Sequence, residues 1–419
     1  MTKIKTNRNN TNNVPPLRFP EFSGEWTKYK VSKLLDFYST NSLSWEQLEY
    51  DTNAIQNLHY GLIHVGLPTM VDLNQNKLPN IKEGSALKNY ELCKEGDVAF
   101  ADASEDTNEV AKAIEFFNLD GAEVVCGLHT IHGRDNNGLT VVGFKGYAFG
   151  STAFHNQIRR IAQGTKIYSI STKNFSECYI GVPCKAEQTK IATLLRLIDA
   201  RIATQNKIIE DLEQLKSALT DQLYSGQLRF HEFADDWGVS TFGHLTEHFS
   251  HRNRNSKHYP VFSVTKDTGF IPQEEQFESR EITGDDISSY KIIRQGEFAY
   301  NPARINVGSI ARYDNETPCL ISSLYVCIKP AADIDSDWLL YLLKSKRAIF
   351  YYNLYGEGGV RIYLFYPNFS RIKVKVPSIQ EQHRIAALLK YIADKILQEK
   401  KLKDLYMAQK QFLLQRLFI

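Results

Sequence analysis

The sequence predicts an α+β protein built by internal duplication: two mixed α/β blocks, each followed by a long helix, with the two helices pairing as an antiparallel coiled coil. Three observations lead there. "VPCKAEQTKIATLLRLIDARI" (Val182 to Ile202) returns as "VPSIQEQHRIAALLKYIADKI" (Val376 to Ile396), with ten of 21 aligned positions identical. Other stretches return in the same order: "LRFPEFSGEW" (Leu17 to Trp26) as "LRFHEFADDW" (Leu228 to Trp237), "KEGDVAF" (Lys94 to Phe100) as "RQGEFAY" (Arg294 to Tyr300), and "AQGTKIYSISTKNFS" (Ala162 to Ser176) as "GEGGVRIYLFYPNFS" (Gly356 to Ser370). The offset shrinks from 211 to 200 to 194 and then holds through the helix, as expected when loops of a second copy lose residues. Finally, both helix segments space their apolar residues by three and four with no internal Gly or Pro, the pattern of a buried seam.

Residues 1–16, "MTKIKTNRNNTNNVPP", are polar and Asn-rich and read as a flexible tail with no apolar run of the signal-peptide kind. The first block is expected over 17–181 and the second over 228–375. Each mixes short β-type runs ("EVVCGLHTI", "CLISSLYVCI", "RIKVKV") with Gly, Asn and Asp turns. Each also carries one amphipathic segment stopped by glycine, "FKGYAFGSTAFHNQIRRIAQG" in the first and "WLLYLLKSKRAIFYYNLYGEG" in the second. The spacer helices occupy 182–227 and 376–419, with their prolines ahead of the helical pattern, where a missing N–H is harmless. From about Ala186 to Leu223 the first should run roughly 55 Å. Its seam is read as Ile191, Leu194, Ile198, Ile208, Leu212, Leu215 and Leu219, interrupted at Arg201 and Gln205. In the second helix the seam residues are Ile385, Leu388, Ile392, Leu402 and Leu413, interrupted at Lys395 and Glu399.

Composition narrows the function classes. At 419 residues with 42% hydrophobic and 23% charged, the chain has room for two cores. No apolar run of about 18 residues is present, so no membrane span is expected. The six cysteines form no CxxC pair and read as buried thiols in a reducing cytoplasm, with no metal site expected. A net charge of +2 means any basic surface must be local.

Sequence signals for chemistry are missing. No Gly-Lys dipeptide exists for a P-loop, and the one G-x-G, at Gly356 to Gly358, lacks a third glycine. "NPAR" (Asn301 to Arg304) resembles the Asn-Pro-Pro-aromatic motif of amino-methyltransferases but lacks its second proline and its aromatic. Glu399-Lys400-Lys401, the one nuclease-like triplet, falls mid-helix. No catalytic residue is expected, and recognition remains.

Two similar heads held apart by a rod suit a long, repetitive ligand, with duplex DNA the prime candidate. "SHRNRNSKH" offers Arg252, Arg254 and Lys257 for phosphates, or is a solvated loop. "NPARINVGS" sets Arg304 between Asn301 and Asn306, side chains suited to base edges. The acidic counterpart "ADASEDTNEVAK", with Ser104 and Glu105, either shapes a turn or accepts from cytosine N4. "GLHTIHGRD" places His129, His132 and Arg134 just after a strand. Lys166, Tyr168, Ser323, Tyr325, Arg361 and Tyr363 complete the DNA-facing candidates.

The order of block and "P…EQ…IA..L…I" helix, given twice between Leu17 and Leu417, resembles the specificity subunit of type I restriction–modification systems, as do "FADASED" and "GLHTI". The resemblance implies that the blocks are target-recognition domains, each reading half of a bipartite double-stranded DNA site, with the helices as spacer. It further implies two methyltransferase and two restriction subunits as partners, no membrane, and a cytoplasmic location. S-adenosylmethionine, ATP and Mg would be held by those partners and no cofactor by this chain. The second block departs in lacking "DASED". A two-headed protein-binding scaffold without DNA contact is the alternative reading, and a remnant of a fused methyltransferase a weaker one.

Overall fold

The computed structural model describes residues 13–85, 87, 90–276, 287–359 and 361–419. The chain forms two compact units, one comprising residues up to Asn206 together with Lys401–Ile419, the other Lys207–Lys400. Each unit thus owns one block and a stretch of both long helices.

In the first unit, a five-stranded sheet runs in the order Asp36–Tyr38, Thr130–Arg134, Val98–Ala101, Ala113–Asn118, Met70–Asp72. A four-stranded sheet beside it runs Val124–Cys126, Gln56–Leu58, Asn80–Ile81, Leu48–Glu49, its first pair parallel. The second unit repeats this plan. Thr246–Phe249, Val326–Pro330, Phe298–Tyr300 and Ile310–Arg312 stand in the order of the first four strands of the larger sheet. Cys319–Ile321 pairs in parallel with Val261–Thr265, as Val124–Cys126 does with Gln56–Leu58. The duplication read from short motifs is therefore a duplication of topology.

Each amphipathic segment forms two helices. The breaks fall at Ser151 and Ser345, 194 positions apart, separating Lys145–Phe149 from Thr152–Ile161 and Ser336–Lys344 from Lys346–Tyr355. Each serine is an N-cap whose hydroxyl accepts from the backbone N–H three residues on, Phe154 or Ala348. A capping hydroxyl restarts a helix within an apolar pattern that shows no break.

The repeated motifs explain one another in space. Arg18 of "LRF" makes a two-pronged pair with Glu187 of the helix start, 2.7 Å at each prong. Arg229 pairs in the same way with Glu381 at 3.0 and 2.9 Å. The neighbouring glutamines staple the loop ahead of the helix. Gln188 donates to the Pro183 carbonyl and accepts from Val141 N–H, while Gln382 donates to the Pro377 carbonyl and accepts from Asp335 N–H. Glu187, Gln188, Glu381 and Gln382 are all buried. The "EQ" dipeptide is a docking device as well as a helix start.

The helices span Lys185–Ser225 (41 residues) and Ile379–Arg416 (38 residues). In the second unit, Glu213 pairs with Lys400 at 2.7 Å, while Leu223 shares a core with Ile385 and Leu389. As one helix advances the other retreats, so they are antiparallel there. In the first unit Asp199 pairs with Lys410 at 2.6 Å and Ile191 shares a core with Leu417, the same sense.

The buried stripe corrects the expected seam at alternate positions. Residues 191, 195, 198, 202, 205, 209, 212, 216, 219 and 223 are buried or half-buried, as are the ten residues 194 positions later. Ile208, Leu215 and Leu402 are instead 38%, 48% and 37% exposed, and Leu194 and Leu388 sit half-buried beside the stripe. At several steps leucine or isoleucine stands at both the +3 and +4 positions, so the pattern is degenerate; the +4 residue is selected by the block cores at Leu195 and Leu389 and by Ile392 and Ile396 of the other helix at Ile209. That choice puts Lys216 in the stripe, where burial lowers its pKa and its ammonium lies 5.1 Å from the Tyr341 ring centre.

Chain ends and chain middle are equivalent too. Leu17 N–H donates to the Arg416 carbonyl at 3.0 Å, and Leu228 N–H to the Gln222 carbonyl at 3.1 Å. Arg416 and Gln222 are 194 positions apart.

Candidate nucleic-acid interface

In the first unit, antiparallel pairing of Val98–Ala101 with Thr130–Arg134 brings the segment after one strand beside the turn before the other. Asp102 N–H donates to the His129 carbonyl, and His129 Nδ1 lies 3.1 Å from Asp102 Oδ1. Ala103–Ser104 then pairs with Tyr168–Ser169, and Ile170 N–H donates to the Asp102 carbonyl at 2.9 Å. Three loops distant in sequence thereby converge, gathering Ser104, Glu105, His129, Lys166 and Tyr168. Glu105, His129 and Lys166 are exposed, Ser104 and Tyr168 half-buried.

The hairpin that carries Lys166 depends on one glycine. Gln163 and Ser169 exchange backbone hydrogen bonds, and Gly164 turns between them at φ +142°, where a Cβ would lie 1.9 Å from the Ile167 carbonyl oxygen. Tyr60, overlooked in the sequence, meets His129 edge to face at 5.2 Å and stacks against His59, whose pKa burial lowers. No periodic or motif signal marked it.

The second unit builds the same three-loop surface from different residues. Phe298–Tyr300 pairs with Val326–Pro330, so Asn301–Ser309 follows one strand where Ser323–Tyr325 leads into the other. Leu364 N–H donates to the Pro302 carbonyl at 3.0 Å, the counterpart of Ile170 to Asp102, and Glu357 and Tyr363 exchange the hydrogen bonds of the hairpin. Gly358 turns it at φ +114°. Arg304, Ser323, Arg361 and Tyr363 are exposed, and the Tyr363 ring stacks on Phe365 with 9° between planes. Arg304 and Arg361 have no ion-pair partner among the described residues, which leaves two guanidinium groups available to phosphates or guanine edges.

Beside this surface, Arg252 forms a β-bridge with Lys291, whose ammonium donates to the Tyr325 carbonyl. Buried Asn253 holds the turn, accepting from Lys257 N–H and donating to its carbonyl, with Arg252, Arg254 and Lys257 all exposed. The loop is thus held in shape, with its cations outward.

Several candidates are turned elsewhere. His132 and Arg134 are buried, 0% and 7% exposed, because inward positions on their strand meet Asp97. His132 Nε2 lies 2.7 Å from Asp97 Oδ2, and Arg134 donates to both carboxylate oxygens at 2.8 Å. They cannot reach a base. Asn301 Oδ1 accepts from Ala303 N–H in a local turn, and the Asn306 amide donates to Asn353. Tyr325 accepts the Val264 N–H through its hydroxyl oxygen.

The Type I restriction modification DNA specificity domain family matches the sequence twice, over residues 72–214 and 239–405, together about three quarters of the chain. The chain belongs to this family. Its general function is recognition of a DNA target, and its members are non-catalytic specificity subunits. The structure is similar to that of a type I restriction–modification S subunit from M. genitalium, at 17% identity and a TM-score of 0.55 over 97% of this chain and 99% of that one. It is also similar to a chain in a structure concerned with complex assembly and conformational transition of the type I R-M system, at 15% identity and a TM-score of 0.56 over 95% and 98%. At such identities the likeness shows the fold. No curated protein matches. Among the described residues no helix is long and apolar enough to cross a membrane.

Proposed function

We propose that this chain reads a bipartite duplex target, one half-site through each three-loop surface, and that the paired helices set the gap. The observation that carries this reading is the twofold construction of that surface. Equivalent strands, an equivalent carbonyl contact (Ile170 to Asp102, Leu364 to Pro302) and an equivalent glycine hairpin present different side chains. A common frame with unlike contacts suits two unlike half-sites. In the first unit Lys166 is the cation at the hairpin and His129 with Glu105 the polar readers. In the second, Arg304, Arg361 and the Arg252–Lys257 loop supply charge. The partners are two methyltransferase and two restriction subunits, which supply S-adenosylmethionine, ATP and Mg and act in the cytoplasm.

The test exchanges residues 17–180 for the corresponding block of another such subunit and maps methylated adenines genome-wide. One half-site is expected to change and the other to persist, because mismatched base pairs cost about 1–3 kcal/mol each and add when well separated. Simultaneous change of both half-sites would overturn the modular reading. Absence of DNA binding by the chain and its methyltransferase complex would leave the scaffold reading standing instead.

A further inference from the structure

Behind the His129 turn, in the core of the first unit, three soft donors meet. Cys93, Cys126 and His132 are 6%, 1% and 0% exposed, and their donor atoms lie within 4.8 Å of one another. The two sulfurs are 3.6 Å apart. A disulfide needs about 2.05 Å, whereas two thiolates about 2.3 Å from one tetrahedral zinc stand about 3.8 Å apart.

His132 is oriented for a ligand. A carboxylate only accepts hydrogen bonds, so the proton shared with Asp97 sits on Nε2, and Nδ1 of the neutral ring is a bare lone pair. That nitrogen is fully buried and has no hydrogen-bond partner among the described residues. Asp97 in turn is held by both prongs of Arg134, which also reaches Glu91 and the Leu92 carbonyl. Carboxylate to imidazole to metal is the arrangement that fixes tautomer and ring in metal sites.

The second unit supplies an internal control. The offsets of 200 and 195 that align the two units' strands place Ile293, Ile321 and Cys327 where the first unit has Cys93, Cys126 and His132. Those three sit together in one apolar core. The fold fills that space with two isoleucines and a single thiol, so packing alone does not call for two thiols and an imidazole in the other copy.

We propose that Cys93, Cys126 and His132 Nδ1 bind a zinc ion. Soft thiolates with an imidazole select zinc over magnesium or calcium. Loading releases two thiol protons to solvent, and two thiolates balance the divalent charge while Asp97 stays balanced by Arg134. Three protein ligands leave one position for water. The metal staples Cys93 and the strands that flank Gly127–His129, holding His129 from beneath.

The test measures metal in the full-length chain purified with reductant and without chelator, then titrates metal-depleted protein with Co2+. About one zinc per chain is expected, with a thiolate-to-cobalt charge-transfer band and tetrahedral visible bands. Cys93→Ile with Cys126→Ile, which installs the second unit's residues, should lose both signals and keep its circular dichroism. Zinc-free protein that gives no cobalt band overturns the proposal, as does unchanged metal content in the double variant. The unsubstituted chain's cobalt spectrum decides the matter even where that variant fails to fold.

Discussion

Lengthening both helices should widen the gap in the DNA target without changing what is read on either side. The unit boundaries fall at Asn206/Lys207 and Lys400/Lys401, and Asn206 and Lys400 are equivalent positions, 194 apart. One heptad inserted after each leaves the Asp199–Lys410 pair inside one unit and the Glu213–Lys400 pair inside the other. Seven residues add about 10 Å to a helix of roughly 60 Å and return the apolar face to within about 20° of its phase. At about 3.4 Å per base pair, 10 Å is about three base pairs. Three base pairs also turn the duplex by roughly 100°, given about 10.5 per turn. Protein phase and DNA phase then disagree, and twisting or bending the duplex costs energy. The expected widening is therefore about one to three base pairs, with both half-sites intact. Single-molecule sequencing of methylated adenines in cells carrying each variant reads the motif directly. A two-residue insertion, rotating the stripe by about 200°, should turn Ile209, Leu212 and Leu219 outward and destabilise the subunit. Altered half-site bases with an unaltered gap would refute the ruler and move specificity into the helices.

Three further outcomes follow from the repeated contacts. Joining Ile419 to Pro16 through one glycine mirrors Ser225-Gly226-Gln227, so a chain reopened at Ser225–Gly226 should direct its methyltransferase partner to the original motif. A permutant that still binds its methyltransferase but loses all site recognition would contradict the equivalence of Leu17–Arg416 and Leu228–Gln222. Glu187→Ala strands Arg18 and opens the buried helix start, and should lower stability by on the order of 3 kcal/mol in urea unfolding. Arg18→Met combined with Glu187→Met should lose less than the two single changes summed, and strict additivity would deny the pair its coupling.

Where sequence reasoning succeeded, the signal was doubled. Two copies of "EQ" on a helix pattern identified the spacer helices and the family, and four ordered matches identified the duplication. Reasoning stopped where local pattern admits two answers. Leu194 and Leu195, or Ile208 and Ile209, serve a coiled coil equally well by spacing, and packing chose the second of each pair, against the first block's core for Leu195 and against Ile392 and Ile396 of the other helix for Ile209. The amphipathic segments carried no visible break, because a serine N-cap differs from any other serine only by its backbone.

The candidate interface divides in the same way. Glu105, His129, Lys166, Arg304 and Arg361 were legible as polar groups in loops, but their convergence rests on Ser104 pairing with Tyr168 and Leu364 with Pro302. Charge and aromatic content alone could not separate His129, which is exposed on a turn, from His132, three residues on and sealed against Asp97. The sequence by itself determined the duplication, the helices and the family, because those depend on periodicity and repetition along one dimension. Only the tertiary structure decided which polar side chains stand exposed and which face Asp97, because strand pairing sets which positions are buried and spacing along the chain does not show it.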